Sequence, residues 1–243
     1  MKMTIGILGG MGPLATCDLF RKIVEIEEAS CDQDHVRVIA DSNTNIPDRT
    51  AAILHGGKDP LPEMCKSAEL LMQAGADVLI LPCNTAHYFY DAVVEKTGAN
   101  LLHMPRETAK MLHDAGIDAA GLLATDGTTQ TGVYESALTS CGVRQILPSP
   151  EKQAAVMGII YDGVKAGVAD YPTSGFLAAV EELRAAGAQT LILGCTELPL
   201  AYSMYDLHFA HIDPTLVLAV RAVQAAGGVV RADVLESMRS ALR

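Results

Sequence analysis

The sequence is short of basic residues, of aromatic rings and of long apolar runs, and each shortage excludes something. Lys and Arg total 18 against 29 Asp and Glu, a formal net charge of −11. No run of Lys or Arg offsets that balance, so neither a phosphate-tracking nucleic-acid surface nor an anionic-membrane patch is expected. Four Phe beside ten Met describe an adaptable aliphatic core rather than a stacking platform. No unbroken apolar stretch approaches the ~18 residues of a membrane span. The run Ile5 to Leu8 is too short, and meets Gly9-Gly10 too soon, for a signal peptide. These absences suit a cytoplasmic protein whose six cysteines are mostly thiols. None pairs as Cys-x-x-Cys, so a structural zinc site has no support and no metal is expected. The glycine cluster Gly6-x-x-Gly9-Gly10-x-Gly12-Pro13 lacks the spacing of a dinucleotide fingerprint, and Asp41 lies too far on to hold a ribose.

What is present is a folded α/β chain. It has 243 residues, 49% of them hydrophobic, which suits one large domain or two lobes of about 100–120 residues. Short apolar runs alternate with longer segments of helical period, as in a parallel sheet flanked by helices. Strands are expected at Met3 to Leu8, Val36 to Ala40, Val78 to Leu81 and Ala99 to His103. Helices are expected at Leu14 to Ala29, after Pro13 at the first turn, and at Leu61 to Ala74, closed by Gly75. The pattern then restarts, with strands at Ala119 to Ala124, Ile146 to Pro148, Thr190 to Leu193 and His208 to Ile212. The segment Ala74 to Thr85 matches Ala186 to Glu197 at seven of twelve positions with an offset of 112, and both end near a cysteine. Gly6-Ile7-Leu8-Gly9 is echoed by Gly121-Leu122-Leu123-Ala124. The chain therefore reads as two pseudo-symmetric, Rossmann-like α/β lobes, residues 1–103 and 104–212. Residues 213–243 are expected to pack back on the first lobe, and the active site to lie at the lobe interface.

Cys83 and Cys195 occupy the same place in the two repeats, beyond the carboxyl end of a strand, where ligands bind in such sheets. A thiol there lies near the start of the next helix, whose dipole and free N–H groups favour thiolate and bind anions. Two lobes related by a pseudo-twofold would set the two sulfurs across a cleft. That is what stereoinversion at carbon requires, one thiolate removing a proton from one face and the other thiol returning one to the opposite face. The competing readings are two inert core cysteines and a thiol redox sensor. The sensor would need the sulfurs close enough for a disulfide, whereas inversion needs them held apart around a carbon.

Four segments carry a family resemblance. They are Gly9-Gly10-Met11-Gly12-Pro13, Asp41 to Thr44 with Ile46 to Thr50, Pro82-Cys83-Asn84-Thr85-Ala86-His87, and Gly194-Cys195-Thr196-Glu197-Leu198. As a set they resemble the aspartate/glutamate racemase family over residues 4 to about 220. The resemblance implies cofactor-independent racemisation of an acidic amino acid, without pyridoxal phosphate, by Cys83 and Cys195 as the acid/base pair. Cys195 would serve the L-enantiomer and Cys83 the D-enantiomer. It also implies that Asn84, Thr85 and Thr196 hold the α-carboxylate, that Met11 and Thr125 line the cleft, and that Arg49 and Lys165 grip the substrate's carboxylates. A homodimer is implied by the resemblance alone. A local pair of cations is also reasonable chemically, because a chain of net charge −11 repels an anionic substrate at long range.

Several residues carry two readings. Glu197 is either a base that activates Cys195 or a dipole-compensating carboxylate at a helix start. His87, one helical turn after Cys83, is read first as a packing residue. Cys17, Cys31, Cys65 and Cys141 are expected to have no chemical role. Asp126 departs from the family pattern and, were it to point into the cleft, would disfavour a side-chain carboxylate. The functional alternatives are a maleate-type cis–trans isomerase, a hydantoin racemase or a broad-specificity amino-acid racemase. Decarboxylases of similar pattern resemble single-cysteine versions of the scaffold and fit less well.

Overall fold

The apolar runs become strands buried on both faces, as strands of parallel sheets are. The computed structural model describes residues 2–242. Its first half runs β1 (Ile5–Gly9), α1 (Pro13–Ile26), β2 (Val38–Ser42), α2 (Arg49–Leu54), α3 (Leu61–Gln73), β3 (Val78–Ile80) and α4 (Tyr90–Thr97). The second half runs α5 (Met104–Asp114), β4 (Ala119–Ala124), α6 (Asp126–Gln130), α7 (Val133–Ser140), β5 (Arg144–Ile146), α8 (Pro150–Gly158) and a π-helix over Ile159–Lys165. It continues with α9 (Ser174–Ala185), β6 (Thr190–Gly194), α10 (Glu197–Met204) and β7 (His211–Ile212), and the chain closes with α11 (Pro214–Ala225) and α12 (Ala232–Ala241).

Two parallel sheets result, ordered β2-β1-β3 and β5-β4-β6-β7. The repeated segments take the same places in each. β1 and β4 are flanked in the same order by β2 and β3 and by β5 and β6. Helices flank both sheets, so the two-lobed α/β architecture expected from the repeat is the one observed.

The strand boundaries differ in instructive ways. Ala99 to His103 is not a strand: a single parallel bridge joins Leu101 to Leu79, and Met104 then opens α5. Ile146 ends β5, whose ladder to β4 runs over Arg144–Ile146, because Pro148 has no N–H to extend it. β7 shrinks to two residues, since Asp206 takes a left-handed backbone (φ 50°) and Leu207 N–H turns back to the Tyr202 carbonyl.

One hydrophobic cluster runs across both halves, from Ile5 and Leu19 through Leu112, Leu122 and Tyr134 to Val217 and Val223, all buried. α11 therefore packs against α1 and α5 together. The junction carries a buried charge knot in which Lys22 on α1 binds Asp18 and, at 2.6 Å, Asp213, the residue that caps α11. The shared core holds the carboxyl ends of β1, β3, β4 and β6 against one another, and the candidate site lies there. No described helix is long and apolar enough to cross a membrane.

Candidate active site

Cys83 follows β3 and opens a 3-10 turn (Thr85–Phe89) rather than an α-helix. Its backbone is held from both sides. Its N–H donates to the Leu81 carbonyl at 2.9 Å, and its carbonyl accepts from His87 Nδ1 at 2.9 Å. His87 Nε2 in turn accepts from the Met104 N–H at 3.1 Å. A carbonyl can only accept and an amide N–H can only donate, so His87 is the neutral Nδ1–H tautomer. Burial drives its pKa down to about 4. His87 thus ties the Cys83 turn to the start of α5, the packing role expected for it.

Cys195 precedes the N-cap of α10 and is buried. Its Sγ donates to Glu197 Oε2 at 2.9 Å, and Glu197 Oε1 lies 3.2 Å from Lys165 Nζ. The position near a helix start does not yield a thiolate here. Burial and, after it, the Glu197 carboxylate push the Cys195 thiol well above its ordinary value, against a smaller opposing effect of Lys165. Burial also acts to lower the Lys165 ammonium, but Glu197 and the two cysteine sulfurs outweigh it, so its pKa is raised. The aliphatic reach of Lys165 brings Nζ to 5.3 Å from the centre of the Tyr161 ring.

Arg49 is buried, not a solvated loop side chain. Its Nη1 donates to the Pro47 carbonyl and its Nη2 to the Met11 carbonyl, each at 3.0 Å. The Met11 carbonyl is available because β1 ends in a tight turn at Gly10, which has φ +88° and where a Cβ would strike the Asn43 backbone at 2.3 Å. Only glycine fits there. Burial acts to lower the Arg49 pKa, but the adjacent Cys83 sulfur, together with Asp48 and Tyr161, outweighs it, so the pKa is raised. Arg49 Nε and Asn84 Nδ2 are buried without a hydrogen-bond partner, and such donors are costly unless something is bound there. Thr85, Thr125 and Thr128 form a closed hydroxyl triangle, Thr85 Oγ1 lying 2.8 Å from each of the other two. It joins the two repeats beside the cysteines.

Every residue expected at the site lines one small cavity of about 20 Å³ between the two sheets' carboxyl ends, with Glu197 among them. Asp48, Thr50 and Tyr161 complete its wall. Tyr161 had a sequence signal, four residues before Lys165. Asp48 and Thr50 flank Arg49, but their neighbourhood is set by the fold of α2. Asp126 lies elsewhere: its Oδ1 accepts from Gln153 Nε2 at 2.8 Å, in a separate surface hollow beside Pro150. Cys17, Cys31, Cys65 and Cys141 are free thiols outside the cavity. Among the described residues no group of three or more His, Cys, Asp or Glu could hold a metal ion. The space between these side chains has room for about one water.

Comparison with known proteins agrees with this geometry. A family model described as Asp/Glu/Hydantoin racemase matches residues 8–222. The broad specificity amino-acid racemase RacX of Bacillus subtilis is 27% identical over 232 residues, 90% of this chain and 96% of its own. Among solved structures, Picrophilus torridus aspartate racemase is 28% identical with a TM-score of 0.82, over 96% of this chain and 98% of that one. A putative Asp/Glu racemase from Yersinia pestis is 29% identical with a TM-score of 0.78, over 92% and 99%.

Proposed function

Because the chain belongs to the Asp/Glu/hydantoin racemase family, a superfamily of cofactor-independent two-cysteine racemases, we propose that it interconverts L- and D-aspartate, with glutamate second. The observation that carries this reading is the convergence of Cys83, Cys195, Arg49 and Lys165 on one small cavity. Arg49 and Lys165 against the buried Glu197 leave one net positive charge, which suits an amino acid with a carboxylate side chain and one net negative charge. Asp48 also carries a negative charge at the cavity rim, but it is exposed, where solvent screens it, and it caps α2 through the Ala51 N–H.

The proton path follows from the asymmetry of the two thiols. With the L-enantiomer bound, Glu197 accepts the Cys195 Sγ proton, and the thiolate so formed removes the α-proton. The electron pair moves onto the carboxylate to form an enediolate, and the Cys83 thiol returns a proton to the opposite face. Cys83 is left as thiolate, beside the Arg49 guanidinium, which stabilises it. The D-enantiomer runs the same steps in reverse. In this reading Asn84, Thr85 and Thr196, which line the cavity, hold the α-carboxylate, and donors fixed in a water-poor cavity act most strongly on the charge that develops there.

A second reading is a broad-specificity amino-acid racemase, favoured by the similarity to RacX. The test is incubation of the purified protein, without added cofactor, in deuterated water with L-Asp, L-Glu, L-Ala and maleate, followed by chiral analysis. Inversion with α-deuterium incorporation, strongest for L-Asp, is expected. Inversion of L-Ala at a comparable rate would favour the second reading, and conversion of maleate alone would overturn both. Cys83→Ser and Cys195→Ser should each abolish inversion.

A further inference from the structure

The Asn84 amide raises a question of orientation. Its Oδ1 and Nδ2 differ little in shape, so a buried asparagine presents a donor or an acceptor to the cavity according to what holds its other end. Here the other end is held from the opposite half of the chain. Tyr134, on α7, is fully buried, and its hydroxyl lies 2.6 Å from Asn84 Oδ1. Its other polar neighbour is Thr108, whose hydroxyl donates to the Met104 carbonyl. A separation of 2.6 Å is that of an O–H···O bond and is shorter than N–H···O bonds run. The hydroxyl therefore donates to Oδ1, and Nδ2 is left as the unpartnered donor at the cavity wall.

We infer that Tyr134 is a positioning residue: its phenol locks the Asn84 amide so that Nδ2 faces the substrate's α-carboxylate and stabilises it as it becomes an enediolate. The inference rests on the racemase reading above. Phenylalanine would fill the same space in the core, so the hydroxyl is what the site requires of this position. Without it the amide is free to turn over, and Oδ1 would then face a carboxylate whose negative charge grows toward the transition state. The effect belongs mainly to kcat, since the donor matters most where charge develops.

The test is a double-mutant cycle on the intact protein with aspartate in both directions, reading kcat, KM and thermal midpoint for Tyr134→Phe, Asn84→Ala and the double variant. Tyr134→Phe is expected to lower kcat about tenfold with KM within about twofold, and to lower it no further in the Asn84→Ala background. Equal losses in both backgrounds, or an unchanged kcat, would overturn the inference. Asn84→Asp keeps the acceptor for Tyr134 and removes the donor, so it tests the idea even if Tyr134→Phe fails to fold. Its kcat should fall at least as far as that of Asn84→Ala, and wild-type kcat in Asn84→Asp would sink the proposal. An absence of α-deuterium incorporation by the unmodified protein would instead be a failure of the racemase reading.

Discussion

Cys195 donates its thiol proton to Glu197 at 2.9 Å, while Cys83 lies beside the Arg49 guanidinium and, among the described residues, has no such carboxylate partner. The two halves of a pseudo-symmetric site are thus electrostatically unequal. Glu197→Gln keeps the size of the side chain but removes its ability to take the proton. An L-amino acid and its mirror image have equal free energy, so kcat/KM must fall equally in both directions, by about 100-fold. The pH profile carries the diagnostic part. With no carboxylate to take its proton, a Cys195 thiol that burial holds high needs alkaline solution, so the variant's activity should climb with pH through the range where the wild type is flat. A profile parallel to the wild type would reduce Glu197 to a helix-start carboxylate.

Asp126 is turned toward Gln153 and away from the cavity. Asp126→Asn should therefore leave the ratio of kcat/KM for aspartate and glutamate unchanged within about twofold, the range of a surface substitution. A marked change in that ratio would mean that its charge reaches the site.

His87 makes folding sensitive to acid. Its folded pKa is about 4, lowered by burial, against ~6.5 unfolded. Between those values the unfolded chain binds a proton that the folded chain does not, so stability rises with pH there. The contribution is complete above about pH 6.5 and is lost as pH falls toward 4, on the order of 3 kcal/mol in all. Denaturant unfolding of wild type and His87→Gln from pH 7.5 to 4 checks this. The gap between them should narrow as pH falls, and a constant gap would exclude the neutral-histidine account.

Lys22 sits between Asp18 and Asp213, and its two carboxylate partners outweigh a burial effect that would lower its pKa, so the ammonium pKa is raised. Lys22→Met leaves two buried carboxylates facing each other without a cation. It should cost about 3–5 kcal/mol, a fall in Tm of roughly 10 °C for a chain of this size. A raised ammonium pKa stabilises the fold below its unfolded value of ~10.4, so the wild type should lose this advantage only in strong alkali. A Tm within a degree or two of the wild type would show that the knot is not a joint between α1 and α11.

Much of this protein was legible in its residue order because two sources of information are local or repetitive. The alternation of apolar runs and helical periods specifies parallel strands and covering helices. The offset of 112 residues between Cys83 and Cys195 places both thiols at equivalent strand ends. Arg49 and Lys165 entered through resemblance rather than through any property of their neighbours, and the structure puts both at the cavity. The strand expected at Ala99 to His103 failed because a β-ladder needs a partner over several residues, and α5 begins too soon.

The amino-acid order by itself determined that there would be two α/β lobes, that two cysteines would stand at their matching strand ends, and that His87 would pack one turn from Cys83. Tertiary structure alone decided what those groups became. It made Cys195 a thiol by burying it against Glu197, turned Asp126 toward Gln153, and joined Tyr134 to Asn84 across 50 positions of chain. The division has a physical cause. Periodicity and turn chemistry act over a few residues, whereas desolvation, proton affinity and hydrogen-bond direction depend on which distant groups share an enclosed space.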